Sequence, residues 1–186
     1  MEDGEILQMY WERDPEAISA TAAQYGDYCF AIAKNILGND EDAEECVNDA
    51  YLRAWNSIPP HRPQLLSAFL GKLTRNLSLN RYRSDTAGKR GGGAAAAVLN
   101  ELAECISGQP GVEQELEQQE LIRAIDAFLA ALPPEQRGLF LCRYWYFDSV
   151  SAIAKQYRMS ETRVSVTLHR LRKRLRHHLL ERGFEL

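Results

Sequence analysis

The chain has 186 residues, of which 45% are hydrophobic and 26% are charged, with a formal net charge of −4. A chain of this size can bury one modest core or two small ones. No stretch approaches the roughly 18 apolar residues of a membrane span, and the first residues lack the basic and then apolar pattern of a signal peptide. We therefore expect a cytoplasmic protein without membrane insertion.

The charges are unevenly distributed along the chain. Residues 1–85 hold 8 Lys and Arg against 14 Asp and Glu, whereas residues 120–186 hold 12 against 7. Within residues 155–182 the count is 9 basic to 2 acidic. Positive charge concentrated on one short segment predicts contact with phosphate groups. The acidic first half of the chain needs a different partner.

No set of residues has the spacing of a catalytic or metal site. The four cysteines lie far apart without a Cys-x-x-Cys pair, which predicts buried or idle thiols. The four histidines have no cysteine or carboxylate at ligand spacing, and no phosphate-binding glycine pattern occurs. The acidic run 40–45 lies at a predicted helix start, where negative charge is favoured. We expect neither enzymatic activity nor a bound metal or cofactor.

Apolar residues recur at intervals of three and four, which predicts an all-α fold. The clearest break is the segment 86–119, which contains the run Gly91-Gly92-Gly93. We interpret this segment as a flexible linker between two small helical domains, residues 1–85 and 120–186. Residues 94–105 can form a short helix there, but without the apolar stripe that would dock it firmly.

In the first domain, the pattern predicts helices over roughly 18–37, from residue 40, and from near Ser67. The face of the second helix opposite its apolar stripe has the spacing of an ordinary solvated surface. This face carries Glu45, Asn48, Asp49, Leu52 and Arg53. The third helix carries a polar ridge of Lys72, Asn76, Asn80 and Arg83. Amide and guanidinium groups can bond base edges and phosphates, although such a ridge also suits solvent.

In the second domain, helices are predicted over about 121–132 and 134–146, followed by a helix-turn-helix. Its short first helix is capped by Asp148 or Ser149, and Ser160 caps the last helix. A helix offered to the major groove is held from behind by a short partner helix and exposes its N-terminal side chains. Because the basic run coincides with this pattern, DNA binding is favoured over a protein contact or a solvated face.

Three segments, in this order, resemble the extracytoplasmic-function (ECF) group of the sigma-70 family, the small two-domain sigma factors of bacterial RNA polymerase. DEDAEECVNDAYLRAW (residues 40–55) resembles the helix that binds the polymerase clamp. SAFLGKLTRNLSLNRYR (residues 67–83) resembles the helix that opens and reads the downstream promoter element. Residues 132–175 resemble the domain that reads the upstream element. Phe69 and Asn80 stand where the family often has Trp and Asp.

The resemblance implies a role for each candidate site residue. The polymerase-binding residues would be Glu45, Asn48, Asp49, Leu52 and Arg53. Downstream promoter DNA would meet His61, Arg62, Lys72, Arg75, Asn76, Asn80 and Arg83, with the loop at 61–64 helping to hold a flipped base. Upstream DNA would meet Ser160, Thr162, Arg163, Ser165, Thr167, His169, Arg170, Lys173 and Arg174. Many relatives have Lys and Arg in place of Ser165 and Thr167, so fewer phosphate contacts are expected.

These patterns together predict a sigma factor that directs core RNA polymerase to promoters and assists promoter opening through binding energy. The implied partners are core RNA polymerase and promoter DNA, and the family allows for an anti-sigma factor as well. Two alternatives stay open. One is a helix-turn-helix regulator that binds DNA unaided, and the other is a helical adaptor that binds protein and no DNA.

Overall fold

The computed structural model of the protein describes residues 2–86, 94–106 and 114–184, and these residues form helices without any strand. The prediction of an all-α fold is confirmed. The chain divides into two compact units, Met1–Ala95 and Ala96–Leu186. Residues 87–93 and 107–113, which belong to the predicted flexible linker, lie outside the described residues. None of the described helices combines the length and the apolar character that a membrane span requires.

The first unit contains four complete helices: α1 (Asp3–Trp11), α2 (Glu16–Leu37), α3 (Asp40–Ser57) and α4 (Leu66–Thr86). The last three agree closely with the predicted helices. The first was missed, although Glu2 and Glu5 form a capping box and Ile6 and Tyr10 lie four residues apart on its buried side. An N-terminal segment with so short an apolar repeat gives a weak helical signal.

The core of the first unit lies between α2, α3 and α4. Gly38 ends α2 with a φ of +80°, a conformation that glycine adopts without steric cost. The side chain of Asn39 then accepts a hydrogen bond of 2.8 Å from the backbone N–H of Asp42 and caps α3. The apolar stripe of α3 is buried at Ala43, Cys46, Val47, Ala50, Tyr51 and Ala54, whereas Trp55, the last residue of the expected stripe, is half-buried.

The second unit takes in most of α5 (Ala94–Ala103), followed by α6 (Gln114–Ala131), α7 (Pro134–Tyr144), α8 (Val150–Tyr157) and α9 (Glu161–Leu180). Ser149 caps α8 and Ser160 caps α9, each by accepting a backbone hydrogen bond. The last helix buries an apolar row of Val164, Leu168, Leu171, Leu175 and Leu179.

The helix-turn-helix consists of α8, a short connection and α9. Arg158 lies in the left-handed region with a φ of 54°, and its N–H bonds back to α8. The chain reverses there within two residues, which allows α8 to pack behind α9 through the buried side chains of Ile153 and Ala154. The turn of the predicted helix-turn-helix therefore lies at residues 158–159.

The helix α5 is docked more firmly than its sequence suggested. Val98 and Cys105 are buried, with exposed fractions of 0% and 1%. The carboxylate of Glu101 bonds to Arg143 and Tyr144 of α7. The expectation that residues 94–105 lack an apolar stripe for firm docking was wrong, because Ala95, Val98 and Cys105 are buried and Glu101 adds polar contacts that no periodic pattern shows.

All four cysteines are free and buried. Burial raises the pKa of each thiol above its ordinary value. A thiol with a raised pKa holds little thiolate at neutral pH and is a poor nucleophile and metal ligand. The prediction of buried thiols is confirmed.

Candidate nucleic-acid interface

The outer face of α3 exposes all five residues that the resemblance assigned to polymerase binding, Glu45, Asn48, Asp49, Leu52 and Arg53. Leu52 is the apolar member of this face, with 55% of its surface exposed. An isolated exposed leucine is common on protein surfaces. Here it lies within a polar face, an arrangement that resembles the apolar centre and polar rim of protein interfaces.

Glu45 has a partner within the chain. Its Oε2 accepts a hydrogen bond of 2.6 Å from Nη1 of Arg81 in α4, and Arg81 also bonds to Asp42. The hydrogen bond to Glu45 is the main factor that raises the pKa of Arg81. This contact connects α3 to α4 and occupies one oxygen of Glu45. Sequence reasoning missed Arg81, because 36 residues separate it from Glu45.

A cavity of about 420 Å³ lies between the loop that follows α3 and the outer side of α4. Four residues that the resemblance assigned to downstream DNA line it, namely His61, Arg62, Lys72 and Asn76. Its remaining lining residues are Ser57, Pro63, Phe69 and Leu73. The volume is in the range of small-ligand sites, and the wall combines an aromatic ring, an amide and cations.

The other candidate residues of α4 lie away from this cavity. Asn80 and Arg83 are exposed and extend the polar ridge toward the end of the helix. Arg75 is half-buried, and desolvation lowers the pKa of its guanidinium, with a smaller contribution from the charge of Arg83. Arg75 therefore differs from its neighbours on the ridge, which are exposed cations and amides.

The second unit presents the outer face of α9. Most of the residues assigned to upstream DNA are exposed, and these are Ser160, Thr162, Arg163, Ser165, His169, Arg170, Lys173 and Arg174. Thr167 is half-buried. The hydroxyl of Ser160 accepts a hydrogen bond of 3.2 Å from the N–H of Arg163. Nη1 of Arg174 donates to Gln136 at 3.2 Å, which holds that side chain toward α7.

One cation of α9 faces the interior of the second unit. Nη1 of Arg172 donates to the hydroxyl of Tyr144 at 2.8 Å and to Glu101 at 3.3 Å. Glu101 also binds Arg143, so its single carboxylate lies between two guanidinium groups. Arg172 belongs to the basic run but is used inside the unit, a distinction that charge counting along the sequence could not make.

Within residues 2–86, 94–106 and 114–184, no three His, Cys, Asp or Glu side chains lie close enough together to hold a metal ion. The described surfaces offer three candidate binding features: the α3 face, the cavity with the α4 ridge, and the outer face of α9.

Comparison with known proteins supplies independent information about these surfaces. Residues 22–87, which include α3, α4 and the cavity, match the family model described as Sigma-70 region 2. The chain is 26% identical over 162 residues to the ECF RNA polymerase sigma factor SigE of Mycolicibacterium smegmatis, covering 87% of this chain and 61% of that protein. It is 30% identical over 156 residues to the probable RNA polymerase sigma factor RfaY of Xanthomonas campestris, covering 82% of this chain and 38% of that protein. The chain thus spans less than two thirds of the length of either relative.

Proposed function

The chain carries a sigma-70 region 2 domain and is similar to sigma factors over most of its length, and on that premise we propose that it directs core RNA polymerase to promoters and assists their opening. The observation that carries this proposal is the cavity beside α4. It lies within the region 2 match, and its wall presents Phe69, Lys72 and Asn76 together. These are groups suited to a single unstacked base and its phosphate.

The cavity would receive one base of the non-template strand as the promoter opens. A base that leaves the helical stack loses a few kcal/mol, which the protein must offset. The ring of Phe69 offers a stacking surface, and the amide of Asn76 offers both a donor and an acceptor to a base edge. Lys72 and the exposed Arg62 would neutralise adjacent phosphates. Opening is then driven by binding free energy, and no catalytic group of this chain is needed.

The α3 face would dock on core RNA polymerase. Leu52 would provide the apolar contact at the centre, surrounded by Asn48, Asp49 and Arg53. Glu45 already bonds to Arg81, so we assign it mainly to the attachment of α3 to α4. Asp49 and Leu52 are therefore better positions for testing polymerase docking than Glu45.

The outer face of α9 would read the upstream promoter element. Arg163 and Arg170 are exposed and can bond guanine edges in the major groove. Lys173 would contact a phosphate, and so would Arg174 through the guanidinium nitrogens that do not bond to Gln136, which adds affinity without sequence preference. Because both proposed partners are found in the bacterial cytoplasm, we place the protein there.

The test is in vitro transcription with core RNA polymerase, the purified chain and a pool of promoter-length DNA fragments, followed by sequencing of the transcripts. Defined start sites that require the chain would support the proposal. Asn76→Ala should reduce transcription from these sites, whereas Ser84→Ala, at an exposed α4 position outside the cavity lining, should not. Absence of transcripts, together with tight binding of the free chain to DNA, would instead indicate a regulator that works without polymerase.

A further inference from the structure

The loop between α3 and α4, residues 58–65, forms part of the cavity wall through His61, Arg62 and Pro63. It consists of turns and irregular backbone. A loop of this kind holds a binding geometry only when other parts of the molecule fix it. Ile58 and Leu66, at the two ends of the loop, are buried in the core, and three residues from the segment before α2 make further contacts at or beside the loop.

The exit of the loop is held by Asp3 of α1. Its Oδ2 accepts a hydrogen bond of 3.3 Å from the backbone N–H of Leu66, the first residue of α4. The hydroxyl of Tyr25 donates to the other carboxylate oxygen, which orients the group. The first N–H groups of a helix have no partner within it, so Asp3 acts as a cap supplied from a distant part of the chain.

The middle of the loop is held by Trp11, the last residue of α1. The guanidinium carbon of Arg62 lies 5.8 Å from the centre of the Trp11 ring. This distance is within the range of a cation–π contact. Trp11 is 39% exposed, so its ring lies at the surface rather than within the core.

The entry of the loop is held by Arg13. Its Nη1 donates to the backbone carbonyl of Trp55 at 2.7 Å, and its guanidinium carbon lies 5.2 Å from the Trp55 ring. Trp55 belongs to the last turn of α3, directly before the loop. Arg13 has a φ of 59°, a left-handed conformation that residues other than glycine adopt infrequently. The surrounding contacts hold it there.

We propose that Asp3, Trp11 and Arg13 form an N-terminal clamp that positions the loop 58–65 for capture of a promoter base. The three residues lie outside the region 2 match, which begins at residue 22. They contact the exit, the middle and the entry of one loop. The inference rests on the proposed function of the cavity. A loop ordered in advance loses less conformational freedom when a base binds, and the gain appears as affinity for that base.

The alternative is that α1 serves only to complete the core. Its core contribution comes from Ile6 and Tyr10, both fully buried, and from Leu7 and Met9, which pack against the core. Replacement of Trp11 leaves all four in place and removes the contact with Arg62. The two roles can therefore be separated by a readout that reports on the loop and the base rather than on unfolding.

The experiment compares Trp11→Ala and Asp3→Ala with the control Gln8→Ala. Gln8 is exposed on α1 and its side chain bonds to Glu12. Amide hydrogen exchange of residues 58–66 in the free full-length chain reports on the loop. Base capture is measured with core polymerase and single-stranded oligonucleotides of a promoter identified by transcription. At each position of the downstream element in turn, one oligonucleotide carries the normal base and another carries an abasic site. The affinity for the first divided by the affinity for the second is the base-to-abasic ratio, and the position with the largest ratio identifies the captured base.

In the clamp variants we expect faster exchange in residues 58–66. We also expect the base-to-abasic ratio to fall by about two- to fivefold for Trp11→Ala, the value of one exposed cation–π contact. Trp11→Phe, which retains an aromatic face, should recover most of the ratio, and Gln8→Ala should match the wild type. The thermal midpoint of Trp11→Ala should remain close to that of Gln8→Ala, whereas Asp3→Ala also loses the cap of α4 and should unfold at a lower temperature.

The outcomes separate the inference from the proposed function. Wild-type exchange rates in the loop, or an unchanged ratio, in both clamp variants would overturn the clamp while leaving the sigma-factor role intact. A wild-type chain that supports transcription but shows no base-to-abasic difference at any position would overturn base capture and with it the purpose of the clamp. A chain that supports no transcription at all would overturn the proposed function, and the exchange data would then decide only whether the clamp orders the loop.

Discussion

Replacement of Glu101 by Gln should loosen the attachment of α5 to the second unit. Glu101 accepts hydrogen bonds from Arg143 at 2.6 and 3.2 Å, from Tyr144 at 2.9 Å and from Arg172 at 3.3 Å. Gln presents one oxygen and one NH₂ group, and the NH₂ group would face donors that have no acceptor left. The charge that compensates Arg143, whose side chain is only 8% exposed, would also be lost.

The size of the effect follows from these contacts. A hydrogen bond to a charged group contributes about 1.5–3 kcal/mol, and an unsatisfied buried group costs about 1–3 kcal/mol. The side chain of Glu101 is 25% exposed, so water can replace part of what is lost. We therefore expect a loss of about 2 kcal/mol in the free energy that holds α5 in place. For a unit of this size, that loss corresponds to about 10 °C in the thermal midpoint if it is transmitted to global unfolding.

The measurement is hydrogen exchange of the full-length chain, read on peptides of α5, α7 and α9, together with thermal unfolding. Glu104→Gln is the matched control, because Glu104 lies on the same side of the unit, is 65% exposed and approaches Arg172 at 3.4 Å. Exposed ion pairs contribute little, so this control should change stability by less than about 1 kcal/mol. Equal exchange rates in the two variants would refute the assignment of Glu101 as the main attachment.

The same site predicts a pH dependence. Burial favours the neutral form of Glu101, but the hydrogen bond and charge of Arg143, with Tyr144 and Arg172, outweigh it and lower the pKa of Glu101. A carboxyl whose pKa is lowered by folding contributes stability above its unfolded-state pKa and loses that contribution as the pH falls through the folded-state value. Protection of α5 should therefore decline below about pH 5 in the wild type and much less in Glu101→Gln.

Three further predictions concern the surfaces and the thiols. Leu52→Asp should weaken binding to core RNA polymerase by at least about tenfold. It should change the free energy of unfolding by less than about 0.5 kcal/mol, because the side chain is exposed. Unchanged binding in a pull-down titration would exclude the α3 face as the surface that docks on polymerase. Arg163→Ala should cost about 1–3 kcal/mol in promoter binding by the polymerase complex and relax selectivity at one base pair. Lys173→Ala should lower the affinity for all DNA sequences alike and reduce the slope of log affinity against log salt concentration by about one. Identical binding profiles for the two variants would contradict their separate roles. The four cysteines should react slowly with iodoacetamide in the folded chain at pH 8 and rapidly in urea, since burial raises their pKa values. Labelling is followed by mass spectrometry, and fast labelling of the folded chain would contradict the burial of the thiols.

Local patterns were sufficient to predict much of the fold. The repeats of three and four residues identified α2, α3 and α4, and the cap at Ser160 identified the start of the last helix. These features depend on residues within one or two turns of each other, which is the range over which helical periodicity and capping act. The exposed faces of α3 and α9 followed directly, since a helix that buries one side must present the other.

Most of what the patterns did not predict depends on contacts between residues far apart in the chain. Helix α1 depends on packing against α2, and the clamp joins Asp3 to Leu66 across 63 residues. Glu101 meets Arg172 across 71 residues, and Glu45 meets Arg81 across 36. The sequence alone therefore determined most of the helices, though not α1, and which of their faces are exposed. The tertiary structure decided which of those exposed charges are available for a partner and which are already bound within the chain, because such pairing depends on distances between helices that no local pattern encodes.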